Sequence, residues 1–441
     1  MRKKIIVSAL LLALPLFLTA CTVQELPVIG PVISKFFPAK TEVQSSVTLT
    51  MWGLWENPEV TDVLIKKFQE ENPNITITYE DRSVLKPGEY KDNVYTRVKE
   101  QNAPDIVLIH NSWAPYLKDS LSSMPSNLMS AEDYSNRFYP SATQQGLQDS
   151  AIYAVPAYYD GLMMVYNKNH FDEINQLDAP SSWEEFRSVA KTLTRYDEKN
   201  KELILRAGAA IGTADNISFF SDILGLMFAQ AAVAVPDNID SKSAQDALAF
   251  YTNFSLEDKI WDATFPEASL AFVQERVSIV FVPSWGLLDI LEARPDLKVG
   301  VAQVPQPPIP NPVSWGTFWM YSVPSNSANK DAAWKFVNFM SQESQQQMLY
   351  SEASKFRQFG SLYSLKSLSS QVAADSYLKP LVDSAPFSKI SPLADRAGND
   401  RVVDLLKTAV NYIVKEESKG DKNPTETALK KVKSDLYTPT E

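Results

Sequence analysis

Five short segments of this 441-residue chain set tryptophan or tyrosine beside a carboxylate, amide or hydroxyl. They are Gly53-Leu54-Trp55-Glu56, His110-Asn111-Ser112-Trp113, Ala157-Tyr158-Tyr159-Asp160, Pro283-Ser284-Trp285-Gly286 and Ser314-Trp315-Gly316-Thr317. Flat aromatic faces stack on the C–H surfaces of a sugar ring, and carboxylates and amides hydrogen-bond adjacent hydroxyls; a buried polar group left unpaired rejects the wrong molecule. Taken singly, each tryptophan is equally a core residue, and Glu56, Asn111 and Asp160 are equally solvated loop residues or caps. Repetition at five loop ends is what argues for a shared site. His110, behind an apolar run, reads as a hydrogen-bonded packing residue. Three other chemistries stay open: Tyr158-Tyr159 as phenolate ligands of ferric iron, Glu56 with Asp160 as the carboxylate pair of a glycosidase, and carboxylates among aromatics as a polyamine site.

Most other reactions lack their residues. The chain has two histidines (His110, His170) and one cysteine (Cys21), too few for zinc, haem, iron–sulfur, cysteine-protease or disulfide-framework chemistry. It contains no G-x-S-x-G, P-loop or H-E-x-x-H motif. The formal net charge of −11, more negative still without Arg2, Lys3 and Lys4, disfavours nucleic acid and anionic lipid as partners. A chain of this length with 44% hydrophobic and 22% charged residues fits two lobes or domains. No enzymatic activity, no cofactor, no metal and a monomeric state are expected.

The elements that must position these residues alternate. Residues 47–52 read as a strand, 57–72 as an amphipathic helix with Val60, Leu64, Ile65 and Phe68 on one face, and 75–79 as a second strand. A helix over 90–101 and the apolar run 105–109, of the kind found in buried parallel strands, complete a βαβαβ unit. Further strands are expected at 161–166, 277–282, 298–301 and 318–323. Further helices are expected at 182–194, 243–254, 265–274, 330–340 and 402–415. This alternation indicates an α/β protein with mainly parallel sheets. Val155-Pro156-Ala157 and the stretch 304–312, with five prolines in nine residues, look like crossings between lobes. A return of 318–340 to the first lobe would require a third crossing near 354–359, making a hinge.

The N-terminal segment reads as an address. Arg2-Lys3-Lys4 precedes the apolar residues 5–18 and then Leu18-Thr19-Ala20-Cys21, a run too short to span a bilayer, which needs about 20 apolar residues. Leu-Thr-Ala-Cys resembles the lipobox of bacterial lipoproteins. The resemblance implies a signal peptide over 1–20, acylation of Cys21, and an exported protein anchored to the cell membrane; the alternative is an ordinary secretory signal with a chance cysteine. Residues 22–46 read as a tether that reaches roughly 25–30 Å as a flexible coil. Its apolar patch at 28–37 could instead lie on the membrane or the folded body.

One family shares these motifs in order. Thr50-Met51-Trp52-Gly53, Leu64-Ile65-Lys66-Lys67-Phe68 and Ala103-Pro104-Asp105-Ile106-Val107 come first, and Gly161-Leu162-Met163-Met164-Val165-Tyr166-Asn167-Lys168 follows. Pro180-Ser181-Ser182-Trp183-Glu184-Glu185-Phe186, residues 271–279 with Pro283-Ser284-Trp285-Gly286, and Ala332-Ala333-Trp334-Lys335-Phe336-Val337 continue the series. Over about residues 47–435 the chain resembles the extracellular solute-binding proteins of ABC importers, the maltose-binding-like family 1. This resemblance implies a two-lobed periplasmic-binding-protein-like fold, with 47–155 and 313–356 in one lobe and 156–312 and 357–441 in the other. It implies closure on a small-molecule solute, a mono- or oligosaccharide, and delivery to membrane permease subunits. The family's cleft positions fall on Trp52, Trp55 and Glu56, on Asn111, Ser112 and Trp113, on Tyr158, Tyr159 and Asp160, on Trp285, and on Trp315, Gly316 and Thr317. They also fall on Arg357 and on Asp395-Arg396. Trp315 departs from the family's usual small-residue loop at that point, which puts the ligand's size and the pocket mouth in question.

Overall fold

Alternation in VTLTMWG makes β1 (Val47–Gly53) a strand with Leu49 and Met51 buried. In the computed structural model, which describes residues 46–394, 401–415 and 418–437, it leads into helix α1 (Pro58–Glu71). Asn57 caps α1 by accepting from the Glu59 N–H at 2.9 Å, Pro58 opens it, and Val60, Leu64, Ile65 and Phe68 bury one face. Strand β2 (Ile75–Asp81), helix α2 (Pro87–Arg97) and the fully buried β3 (Ile106–His110) follow.

Here the expected single strand over 161–166 resolves into two. β4 (Val155–Gly161) and β5 (Met163–Asn167) are separated only by Leu162, and they belong to different sheets. Beyond them lie α3 (Trp183–Leu193), capped by Ser182 accepting from Glu185 N–H at 3.2 Å, the almost wholly buried α4 (Phe220–Gln230), and α5 (Lys242–Leu256). The helix expected over 265–274 is the shorter α6 (Ala268–Val273). Then come β6 (Ile279–Val282), α7 (Ser284–Ala293), β7 (Val299–Ala302), β8 (Ser314–Ser322), α8 (Lys330–Met340), α9 (Glu343–Ala353), the two-residue β9 (Ser388–Lys389), α10 (Arg401–Val414) and α11 (Pro424–Tyr437).

These elements lie in one unit, Val47–Glu441, built on two principal sheets. In the first, the order β9-β8-β3-β1-β2 carries β4 as a further partner of β8; β1 is parallel to β2 and β3, and β8 is antiparallel to β3 and β4. In the second, β5 lies between β6 and β7 and is antiparallel to both. The expectation of mainly parallel strands therefore holds for β1–β3 and is corrected in the second sheet. A parallel bridge between Ala207 and Val277 extends that sheet. A continuous apolar run signals a buried strand but not the sense of its neighbours. Among the described residues, no helix is long and apolar enough to cross a membrane.

Two segments run from one sheet to the other, and a third packs on β4. The first is the expected crossing at residues 155–157, which is the paired strand β4 and leads through Leu162 into β5 of the second sheet. The second is the proline-rich stretch, pinned by Gln306 N–H to Ser181 O at 2.9 Å and Gln230 Nε2 to Pro305 O at 2.9 Å. It enters β8 four residues earlier than expected, because Gly316 pairs with Gly161 and Thr317 with Asp160. A Cβ at Gly161 would stand 2.3 Å from the Trp315 carbonyl oxygen, so only glycine lets these strands meet. The third follows α9 and bonds β4 through Tyr159 N–H to Leu362 O at 3.1 Å.

His170, behind β5, is buried with Nδ1 3.0 Å from Ser278 Oγ. Burial and then the nearby Arg206 guanidinium lower its pKa from 6.5 to about 4. A base with a depressed pKa stabilises the fold while neutral, so this contribution is present above pH 6.5 and is lost as the pH falls through about 4. Urea midpoints measured between those limits should fall, and His170→Gln should lose less over the same window; parallel curves for the two proteins would contradict this assignment.

Candidate functional site

Strand register builds the floor of a cavity of about 510 Å3, within the range of small-molecule sites. Pairing of β4 with β8 sets Tyr158 opposite Trp319 and Asp160 opposite Thr317, and pairing of β8 with β3 sets His110 opposite Trp319. Because side chains alternate along a strand, Tyr158, Asp160, Thr317 and Trp319 share one face. The β1–α1 loop supplies Leu54, Trp55 and Glu56 as one wall; the start of α7 supplies Ser284, Trp285, Leu288 and Asp289 as another. The segment after α9 adds Arg357 and residues 359–362.

Aromatic rings give this cavity its faces. Trp55 meets Trp319 edge-on at 4.9 Å between centroids, and Trp319 meets both Trp113 and His110 at 5.4 Å. On the α7 side, Trp285 rests against Phe219 at 5.1 Å. Trp55 is 47% and Trp285 48% exposed, so two large indoles stand half in water on different walls of one cavity. Trp55 is also in the left-handed region, with φ of 59°, its N–H donating to Ser83 Oγ at 2.5 Å; such a residue costs on the order of 1–3 kcal/mol and is held by its surroundings.

The polar groups are largely committed to one another. Asp160 Oδ1 accepts from Gly161 N–H at 2.7 Å and Ser284 N–H at 2.9 Å, and its Oδ2 accepts from Ser284 Oγ at 2.9 Å. A carboxylate from β4 thus caps the N-terminus of α7, where the helix dipole favours negative charge. Glu56 Oε2 lies 3.2 Å from Arg357 Nη2, which also donates to Ser361 Oγ at 2.8 Å. Burial raises the Glu56 pKa, and the Arg357 charge opposes that rise. His110 is held from both sides, Nδ1 2.7 Å from Ser112 Oγ and Nε2 2.6 Å from Thr317 Oγ1. Asn111 Oδ1 accepts from the Phe318 N–H at 3.0 Å and from Thr317 Oγ1 at 3.2 Å. Burial raises the phenols of Tyr158 and Tyr159, which favours neutral hydroxyls over the phenolates that a ferric site would use.

Of the positions singled out in the sequence, Trp55, Glu56, Trp113, Tyr158, Tyr159, Asp160, Trp285, Thr317 and Arg357 line the cavity. Others lie behind it. Trp52 sits under the Arg82 guanidinium, 4.2 Å from its ring centre, and Asn111 and Ser112 brace β8 and His110. Trp315 is buried against α4, its Nε1 donating to Asp222 Oδ1 at 2.9 Å and its ring filling the space above Gly225. Gly316 packs on Ser388. Cys21, Asp395 and Arg396 fall outside the described residues.

Trp319, Leu288 and Asp289 line the cavity without having been expected there, as does His110, read as a packing residue. Trp319 was accessible through strand spacing, two residues beyond Thr317 on the same face. Leu288 and Asp289 were hidden because Pro283-Ser284 reads as a turn. Ser284 in fact starts a helix whose cap, Asp160, is 124 positions away in the chain, a signal no local pattern carries.

Comparison with known proteins adds the following. A family model described as bacterial extracellular solute-binding protein matches residues 63–379. The multiple sugar-binding protein of Streptococcus mutans is 24% identical over 298 residues, covering 65% of this chain and 69% of that one. The maltotriose-binding protein of Pyrococcus abyssi is 22% identical over 303 residues, covering 65% and 61%. Among solved structures, the sugar-binding protein MalE of Xanthomonas citri has a TM-score of 0.70 at 17% identity, covering 88% of this chain and 96% of that one. An ABC transporter solute-binding protein of Thermotoga lettingae, bound with alpha-D-tagatose, has a TM-score of 0.66 at 20% identity, covering 89% and 99%. These structures share the fold.

The two kinds of tryptophan should separate in a stability measurement. Trp315→Ala empties a fully buried site and should cost about 3–5 kcal/mol, whereas Trp285→Ala at a half-exposed position should cost less than about 1 kcal/mol. Equal losses in urea denaturation of the two variants would count against this division.

Proposed function

Because the chain belongs to the bacterial extracellular solute-binding proteins, we propose that it captures a carbohydrate, a mono- or oligosaccharide, and delivers it to the permease subunits of an ABC importer. The observation that carries this reading is the pair of half-exposed indoles, Trp55 and Trp285, on different walls above a floor of hydrogen-bonding groups. Indoles take the apolar faces of sugar rings while Thr317, Tyr158 and the carboxylates meet hydroxyls. The names of the relatives in Streptococcus mutans and Pyrococcus abyssi support it.

The lobes of this reading are 47–155 with 313–356, and 156–312 with 357–441, and the three crossings form the hinge. A solute that touches both walls only when the lobes are shut shifts the population by its differential affinity for the closed state. Capture without hydrolysis is the reading we adopt, supported by the membership in a solute-binding family and by the engagement of Asp160 with Ser284 and of Glu56 with Arg357. The protein is exported and held at the membrane by acylated Cys21, with 22–46 as its tether, and acts as a monomer.

Removing a stacking indole should cost on the order of 1–3 kcal/mol, or about 5- to 150-fold in affinity. Calorimetry of Trp285→Ala and Trp55→Ala against mono- and oligosaccharides should show this loss with melting temperatures nearly unchanged; intact affinity in both variants would refute the stacking role. Small-angle scattering with saturating saccharide should show a more compact body, and an unchanged radius of gyration would argue for a rigid site. Cys21→Ser should abolish labelling by a radioactive fatty acid and release the protein from membranes; continued retention of the unmodified chain would sink the anchor.

A further inference from the structure

The face of α7 that presents Trp285 to the cavity also presents Leu288 and Asp289, three and four residues on. Asp289 has no evident structural duty. It is the sixth of the ten residues of α7, past the first turn in which the helix dipole stabilises a carboxylate. Its helical neighbours at three and four residues are Trp285, Gly286, Glu292 and Ala293, so no base pairs with it along the helix. No hydrogen bond or ion pair reaches it among the described residues. The other lining carboxylates differ: Glu56 has Arg357, and Asp160 has Ser284 and Gly161. Burial and then the like charge of Glu292 raise the Asp289 pKa, the behaviour of an acid short of a counter-charge.

Building on the carbohydrate reading, we infer that Asp289 makes the cleft rank saccharides by charge, favouring one that bears a protonated amine over its neutral counterpart and a uronic acid least. Trp285 takes the C–H face of the sugar ring and attracts a nearby cation. Asp289, one turn away, accepts from the ammonium in a charge-assisted hydrogen bond, stronger than a carboxylate makes to a neutral hydroxyl. A uronate in the same place meets, at close range, a carboxylate that is exposed in this structure and has no neutralising partner.

The test is calorimetry of the full chain against matched disaccharides built from glucosamine, glucose and glucuronic acid, and from their galactose-series equivalents, in wild type and Asp289→Asn. The amine member should bind roughly tenfold tighter than the neutral one, about 1.4 kcal/mol, and the uronate weaker than either. The amine-to-neutral ratio should shrink at about 1 M salt, where charges are screened, and fall towards one in Asp289→Asn. Neutral disaccharides binding as tightly as amines in wild type, or a ratio that survives Asp289→Asn, would overturn the inference and leave the carbohydrate reading standing. A panel in which no saccharide binds, with or without binding of a sugar-free amine such as spermidine, would overturn both.

Discussion

Everything in the cleft is referred to the pairing of β4 with β8. These two strands carry Tyr158, Asp160, Thr317 and Trp319, they join the first sheet, and their ends lead to the second. Their close approach requires glycine at 161, where a Cβ would strike the Trp315 carbonyl, and glycine at 316 leaves room for Ser388 of β9. Asp160 then extends the pairing across to the second sheet's side by capping α7 at Ser284. The helix that presents Trp285 is thus anchored to the strand that forms the floor, by hydrogen bonds to a charged acceptor that are each roughly twice as strong as neutral ones. Asp160 thereby fixes where the indole stands.

This arrangement separates a fixed part of the site from an adjustable part. His110, Asn111, Ser112 and Thr317 are tied to one another and to the Phe318 N–H by hydrogen bonds, which holds this part of the floor in place. The walls are looser in composition, with Trp55 and Trp285 each about half in water. Such half-exposed surface gains its favourable burial only when something covers it. In the proposed reading a solute that spans both walls would supply that cover, and occupancy would be coupled to closure in this way.

Much of the alternation of strands and helices was legible because its signals are local. Asn57-Pro58 opens α1, Ser182 with Glu185 opens α3, and the βαβαβ alternation over residues 47–109 is present as expected. What was not legible depends on partners distant in sequence. The break at Leu162 divides an apolar run between two sheets, and the strand sense of β5 is set by β6 and β7 more than 100 residues later. Trp183 was readable as a helix-start residue, but its Nε1 bond to Gln230 Oε1 at 2.7 Å, which ties α3 to α4, was not. The candidate site divides the same way. Loop-end clustering located Trp55, Glu56, Tyr158, Asp160 and Trp285 at the cavity, yet it could not tell a tryptophan that faces solvent from one that a helix covers.

Trp315 and Trp319 show what decides that difference. Both lie on β8, on the same face of the strand, four residues apart. Above Trp315, α4 passes so near that its Gly225 has no room for a side chain, and Asp222 of the same helix takes the indole N–H. Trp319 instead lines the cavity, with Trp55 edge-on from the β1–α1 loop and Trp113 and His110 on other sides. A larger residue at 225 would lift α4 from Trp315 and disturb the start of β8, and with it the registration of Asp160 opposite Thr317. The departure at residue 315 therefore concerns how α4 is seated beneath the site. In the proposed reading the solute's size would be set by the walls that carry Trp55 and Trp285.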